Sequence, residues 1–157
     1  QTDYVFELSR LCAENHDRKT VADYIVSSVI MLSRADACTL RMYEESTGDV
    51  VLASSFGIPE AALTEKRFPF KGSLVEKSFL AKRPVKVIDL VQEPLYRTVR
   101  WTRTQNFTSA LILALSFQSK IVGSIALYVT PEKRLELFDN TFLERYAQLL
   151  GIILAKR

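Results

Sequence analysis

The chain has 157 residues, 48% of them hydrophobic and 25% charged, which suits one globular domain with a real core and leaves little room for a second. No apolar run approaches the roughly 18 residues of a membrane span, and the opening "QTDYVFELSR" lacks the basic and apolar regions of a signal peptide, so a soluble segment without membrane contact is expected. Net charge is +3, but the six cations Lys82, Arg83, Lys86, Arg97, Arg100 and Arg103 face only Asp89 and Glu93; that stretch carries +4 and the remainder −1, which favours a local site over general polyanion affinity.

In chain order, Leu8, Leu11 and Cys12 continue a helical spacing begun at Tyr4 and Val5, and predict a first amphipathic helix ending near residues 15–17. A second helix is predicted from Thr20 to about Ser33, with Thr20 as cap and Asp23 completing a capping box. The period then changes to 2. "ACTLRMYEE" sets Cys38, Leu40 and Met42 against Thr39, Arg41 and Tyr43, and "STGD" turns into "VVLASSF", giving an antiparallel pair.

Gly57 and Pro59 end that strand, "PEAALTEK" reads as a short helix or loop, and "RFPF" as a brief extended piece. A helix capped by Ser73 follows, with Leu74, Val75, Phe79 and Leu80 on one face and Pro84 as its stop. "PVKVIDL" is a strand whose end carries Asp89, and 91–108 reads as a long loop with a turn or two of helix. "SALILALSF" and "IVGSIALYV" are the most apolar strands, as suits the centre of a sheet covered on both faces. The closing helix, from near Asp139, has two apolar stripes: Phe142, Tyr146, Leu149 and Ile153, then Leu143, Ala147, Leu150 and Leu154. One stripe covers the sheet and the other calls for a second partner.

The fold class is therefore α+β: a mainly antiparallel sheet of five or six strands, terminal helices packed on one face, and a loop region on the other. Residues 1–157 read as a single domain; the start at Gln1 and the helical pattern still running through "LLGIILAKR" are those of a segment cut from a longer chain.

Catalytic residue types are sparse. His16 is the one histidine and lies in the polar "AENHDRK" connection, and neither cysteine has a CxxC or a nearby histidine, so no metal, no disulfide framework and a reducing, cytoplasmic setting are expected. Cys38 reads as core. Asp89 and Glu93 have the spacing of an acid and base, but an Asp at a strand end more often caps the following turn. The cluster of Arg97, Arg100, Tyr96 and Trp101 does not suit nucleic acid, because its cations sit in one loop while the strands are apolar. Two readings stand: solvated charges with Trp101 as an apolar anchor, or guanidiniums turned inward to clamp an anionic ligand.

In order and residues the chain resembles a GAF domain, the small-molecule sensory module of signalling proteins. The resemblance spans nearly the whole chain and rests on "ADACTLRMYEESTGDVVLASSFGIP", "GSLVEKSFLAKRPVKVIDLVQEPLY", "SALILALSFQSKIVGSIALYV" and "FDNTFLERYAQLLGIILA". It implies a cavity on the sheet face away from the terminal helices, with Thr39 and Arg41 as pocket residues and Ser54, Phe56, Ile88, Asp89, Tyr96, Trp101, Ser109 and Tyr128 as further candidates by position. The helical loop lacks the cysteine and histidine of the tetrapyrrole-binding members, so no covalent bilin or other cofactor is expected. The residue set of the cyclic-nucleotide members is present only in scattered parts. Cys12 and Cys38 do not reproduce the pocket cysteines of the methionine-sulfoxide reductase members.

The resemblance implies a non-catalytic sensory domain of a bacterial signalling protein, binding a small molecule, dimerising through its terminal helices and relaying the signal to an output domain in the same chain. The alternatives are a dimerisation or interaction module without a ligand and, behind it, a redox enzyme of the sulfoxide-reductase type.

Overall fold

The computed structural model describes residues 4–14, 16–96, 104–133 and 135–156. Helices α1 (Tyr4–Ala13) and α2 (Arg18–Ser33) precede the hairpin β1 (Ala37–Glu44) and β2 (Asp49–Phe56); then come the short strand β3 (Arg67–Pro69), helix α3 (Leu74–Ala81), strand β4 (Val85–Val87), the hairpin β5 (Ser109–Phe117) and β6 (Lys120–Val129), and helix α4 (Asn140–Ala155). The six strands form one antiparallel sheet in the order β3-β2-β1-β6-β5-β4, so the two hairpins meet at β1 and β6 in its middle. The architecture is the α+β class that the periodicity predicts.

Local chemistry explains the boundaries. The cap of α2 is Asp17 rather than Thr20: its carboxylate accepts from the Thr20 N–H at 2.7 Å. A carboxylate there also meets the positive end of the helix, an advantage the Thr20 hydroxyl lacks. Asp23, expected to close a capping box, instead accepts from Lys19 Nζ and Ser54 Oγ, each at 2.5 Å. Ser73 does cap α3, accepting from the Glu76 N–H at 3.3 Å. The buried face of α3 differs from the expectation, for Leu80 is 70% exposed and Ser78 is buried. The Ser78 hydroxyl donates to the Arg83 carbonyl at 2.8 Å and accepts from the Ala114 N–H at 2.9 Å, so it fastens α3 to β5 more specifically than an apolar side chain would. The turn between β5 and β6 places Gln118 and Ser119 at φ 51° and 63°, the twist a two-residue hairpin needs.

The sheet carries a core on each face. On one, Leu40, Leu111, Leu115 and Leu127 pack against Leu8 of α1, Val21, Ile25 and Val29 of α2, and Leu143 and Leu150 of α4. The terminal helices thus share a face, as the sequence predicts. Gly151 lets α4 approach closely: a Cβ there would collide with the backbone of Ser116 on β5. The stripe of α4 that carries Phe142 and Tyr146 is partly covered from within, since the Tyr146 hydroxyl hydrogen-bonds Ser28 Oγ of α2 at 2.8 Å; Phe142 remains exposed. On the opposite face, Val50, Ala110, Ile112 and Tyr128 meet Leu74 and Val75 of α3 and the loop residues Leu63, Leu90 and Phe107.

Candidate functional site

Alternation along β1 decides what faces the second core. Cys38 and Leu40 point to the helices, so Thr39 and Arg41 point away from them. A mid-strand arginine must find polar partners or reach water. Arg41 is only 3% exposed and finds the carbonyls of the segment entering β3: Nη1 donates to Lys66 O at 2.6 Å and Nη2 to Glu65 O at 3.0 Å. Its guanidinium lies 4.6 Å from the centre of the Phe68 ring, a cation–π contact that fixes its plane. Burial lowers its pKa from the ordinary arginine value, outweighing the opposing influence of nearby Tyr128, Tyr96 and Glu65. The site therefore holds a cation whose charge is poorly solvated.

Next to Arg41 is a small cavity of about 30 Å³ lined by Thr39, Phe68, Leu74, Val75, Leu95, Tyr96, Ile112, Ser124, Ala126 and Tyr128. That is room for a water molecule or two. Strand pairing explains the lining: Thr39 lies opposite Ala126, Arg41 opposite Ser124 and Ala126 opposite Ile112, so β1, β6 and β5 each present one residue in two to it. The Tyr128 ring is stacked on Phe107 at 5.5 Å and meets Tyr96 edge-on at 6.4 Å, which limits where its hydroxyl can go. Thr39, Ser124 and Tyr128 are all buried, yet none of their hydroxyls hydrogen-bonds a described residue.

Of the residues singled out from the sequence, the cavity brings together Thr39, Arg41, Tyr96 and Tyr128. Ser54 and Phe56 stand elsewhere. Strict alternation from Val50 and Leu52 would bring both to the cavity face, but a β-bulge between Leu40 and Arg41 leaves Ala53 as an extra residue, so Ser54 lies opposite Leu40 and Phe56 opposite Cys38, on the helix side. The hydroxyl of Ser54 is spent on Asp23 of α2. Ser109 pairs with Val129 and donates to the Ile88 carbonyl at 2.6 Å, closing the β4–β5 edge. Ile88 is 71% exposed, and Asp89 accepts from the Val91 N–H at 3.1 Å, the turn-capping role of an Asp at a strand end. Glu93 likewise accepts from the Leu95 N–H at 3.3 Å. Lys82, Arg83 and Lys86 are exposed, while Arg97, Arg100, Trp101 and Arg103 lie outside the described residues. Ser124 was open to a sequence reading, being four residues before Tyr128 on one strand; Phe68 and Leu95 carry no local signal.

Cys38 is buried on the helix side, and burial pushes its thiol well above the ordinary range, opposite to what a nucleophile needs. His16 lies beside Glu14 at 3.1 Å in the α1–α2 connection, remote in sequence and in packing from the cavity. Among the described residues no cluster of three or more His, Cys, Asp or Glu side chains is placed to hold a metal, and no helix is long and apolar enough to cross a membrane.

A central antiparallel sheet with terminal helices on one face and a short helix, loops and a small cavity on the other defines the class of α+β domain. The GAF-domain family profile matches residues 15–155, and the chain belongs to the GAF-domain family. Solved structures agree on the fold. The GAF domain of a phosphoenolpyruvate-protein phosphotransferase from Coxiella burnetii superposes with a TM-score of 0.78 at 16% identity, covering 98% of this chain and 91% of that one. Free methionine-R-sulfoxide reductase from Neisseria meningitidis, in complex with its substrate, gives 0.73 at 15% identity, covering 99% and 92%. A domain of a two-component sensor histidine kinase protein from Sinorhizobium meliloti gives 0.66 at 13% identity, covering 90% and 92%. Identities this low speak to the fold alone. No curated protein sequence matches the chain.

Proposed function

We propose that this GAF domain is a regulatory sensor in a bacterial signalling protein: a small molecule occupies the cavity beside Arg41, and the terminal helices carry the change to an output domain in the same cytoplasmic chain. The observation that carries this reading is the buried polar cavity on the sheet face away from those helices, with Arg41, Thr39, Ser124 and Tyr128 in its wall. The relay is short. On β6, Ser124, Ala126 and Tyr128 line the cavity while Ile125, Leu127 and Val129 belong to the helix core, so a shift of this strand is felt by both. A ligand moves that equilibrium only by binding its two forms unequally. Exposed Phe6 on α1 and Phe142 and Ile152 on α4 support a homodimer contact through the terminal helices.

The test is hydrogen exchange of the longer protein with and without compounds that raise the melting temperature of the domain. Protection in β1, β6 and α4 together supports the relay; protection confined to a surface loop refutes it. A second reading, an interaction module that binds no ligand, is favoured by the small volume of the cavity, about 30 Å³. Dimerisation that persists while no compound binds would support that module instead. The redox alternative lacks an accessible thiol near the cavity, as Cys38 faces the helices and Cys12 lies on α1. Sulfoxide reduction lost in Cys12→Ser and Cys38→Ser would nonetheless restore it.

A further inference from the structure

The three hydroxyls in the cavity wall ask for an explanation. A buried hydroxyl is ordinarily hydrogen-bonded, because stripping it of water without a replacement is unfavourable. Ser28 and Ser78, buried elsewhere in this domain, follow the rule: Ser28 bonds Ile25 O and Tyr146, and Ser78 bonds Arg83 O and the Ala114 N–H. Thr39 and Ser124, 1% and 4% exposed, bond no described residue, nor does the hydroxyl of Tyr128, and all three oxygens open onto the cavity rather than being sealed in the packing. All three border the same cavity as the Arg41 guanidinium. Polar groups left open around one small space, beside one buried cation, are the complement of a small ligand rich in acceptor oxygens.

We infer that the cavity takes a monocarboxylate of one or two carbons, its charge facing Arg41 and its oxygens accepting from Thr39, Ser124 and Tyr128. This rests on the sensory reading above and narrows it. The guanidinium is planar and pre-oriented by Phe68 and the Glu65 and Lys66 carbonyls, which suits a planar carboxylate. Leu74, Val75 and Ile112 form the apolar remainder of the wall and suit a short alkyl end, not a second charge. The volume of about 30 Å³ leaves no space for a nucleotide or a tetrapyrrole without displacing these side chains. Ordered water is the competing occupant.

The experiment measures the melting temperature and carbon-13 line broadening of the domain with formate and acetate, each at ~10 mM against equal sodium chloride, where binding stabilises in proportion to ligand over Kd. Acetamide is the neutral isostere. The wild type is compared with Thr39→Val/Ser124→Ala and with Arg41→Met; should Arg41→Met not fold, the double variant alone decides. The inference expects at least one carboxylate to raise the melting temperature and acetamide to leave it unchanged, with affinity about tenfold or more weaker in the double variant. No shift beyond chloride with either carboxylate overturns it, and so does a shift that both variants retain. An equal shift from acetamide, lost in the double variant, also overturns the carboxylate assignment while leaving the sensor reading intact. The sensor reading fails separately, if no compound of any class alters exchange in α4.

Discussion

The two faces of the sheet are built on different principles. The face under α1, α2 and α4 is apolar: Leu40, Leu111, Leu115 and Leu127 are fully buried, and the buried Ser28 hydroxyl is bonded to Tyr146. The face under α3 buries an arginine and three hydroxyls that bond no described residue. The first is a core optimised for packing; the second tolerates groups that a stability-driven core would have replaced with apolar ones. Their difference separates a face packed for stability from one that keeps polar groups at a cavity.

Four experiments break or sharpen that contrast. The largest effect belongs to the helix face: Leu127→Ala removes a fully buried side chain between β6 and the helices and should cost about 3 kcal/mol in urea unfolding. Arg41→Met should cost less, about 1–2 kcal/mol, because the lost bonds to the Glu65 and Lys66 carbonyls are offset by removing a buried charge, and the exposed Lys66 segment can be rehydrated. A loss equal to that of Leu127→Ala would make Arg41 a structural keystone and erase the contrast.

The hydroxyls provide a direct comparison. Ser28→Ala removes the buried bond between Ser28 and the Tyr146 hydroxyl and should cost about 1 kcal/mol, whereas Ser124→Ala deletes a group that bonds no described residue and should stay within about 0.5 kcal/mol of wild type. Equal losses, measured under the same denaturant conditions, would show that the two faces treat buried hydroxyls alike.

The smallest effect concerns Asp36, which belongs to neither core. It joins the start of β1 to the end of β6 by accepting from the Thr130 N–H at 2.8 Å and its hydroxyl at 3.1 Å, with Lys133 at 3.0 Å. Burial raises its pKa, but these partners outweigh burial and hold it below the ordinary 3.8. A carboxyl depressed on folding stabilises the folded state above its unfolded pKa and loses that contribution as pH falls through the folded one. Asp36→Asn should therefore be less stable by about 0.5–1 kcal/mol at neutral pH, a modest figure because the pair is partly solvated, and the difference should narrow below about pH 4. A constant difference from pH 7 to pH 2, followed by circular dichroism, would remove the electrostatic explanation.

The candidate site was legible in proportion to how local its determinants are. Alternation in "ACTLRMY" was enough to put Thr39 and Arg41 on one face, because the extra residue of the bulge lies on β2 and β1 keeps its period, and the same rule applied to β6 leads from Tyr128 to Ser124. It failed on β2, where Ala53 is an extra residue and both Ala53 and Ser54 turn to the helices. Nothing in "VVLASSF" announces a bulge: no glycine marks it, and it shows only in the register of β2 against β1. The cap of α2 was missed by one helical turn for a simpler reason, since Asp17 and Thr20 are both good caps and only the backbone geometry selects one.

What the sequence by itself determined is the order and type of the elements, the shared face of the terminal helices, and an arginine in mid-strand on one face with Thr39, because period, capping residues and alternation act over a few neighbouring residues. Register, the bulge, and the meeting of Arg41 with the Glu65 and Lys66 carbonyls and the Phe68 ring were decided by tertiary structure. Those contacts join residues about 25 positions apart in the chain, and only closing the sheet brings them within bonding distance.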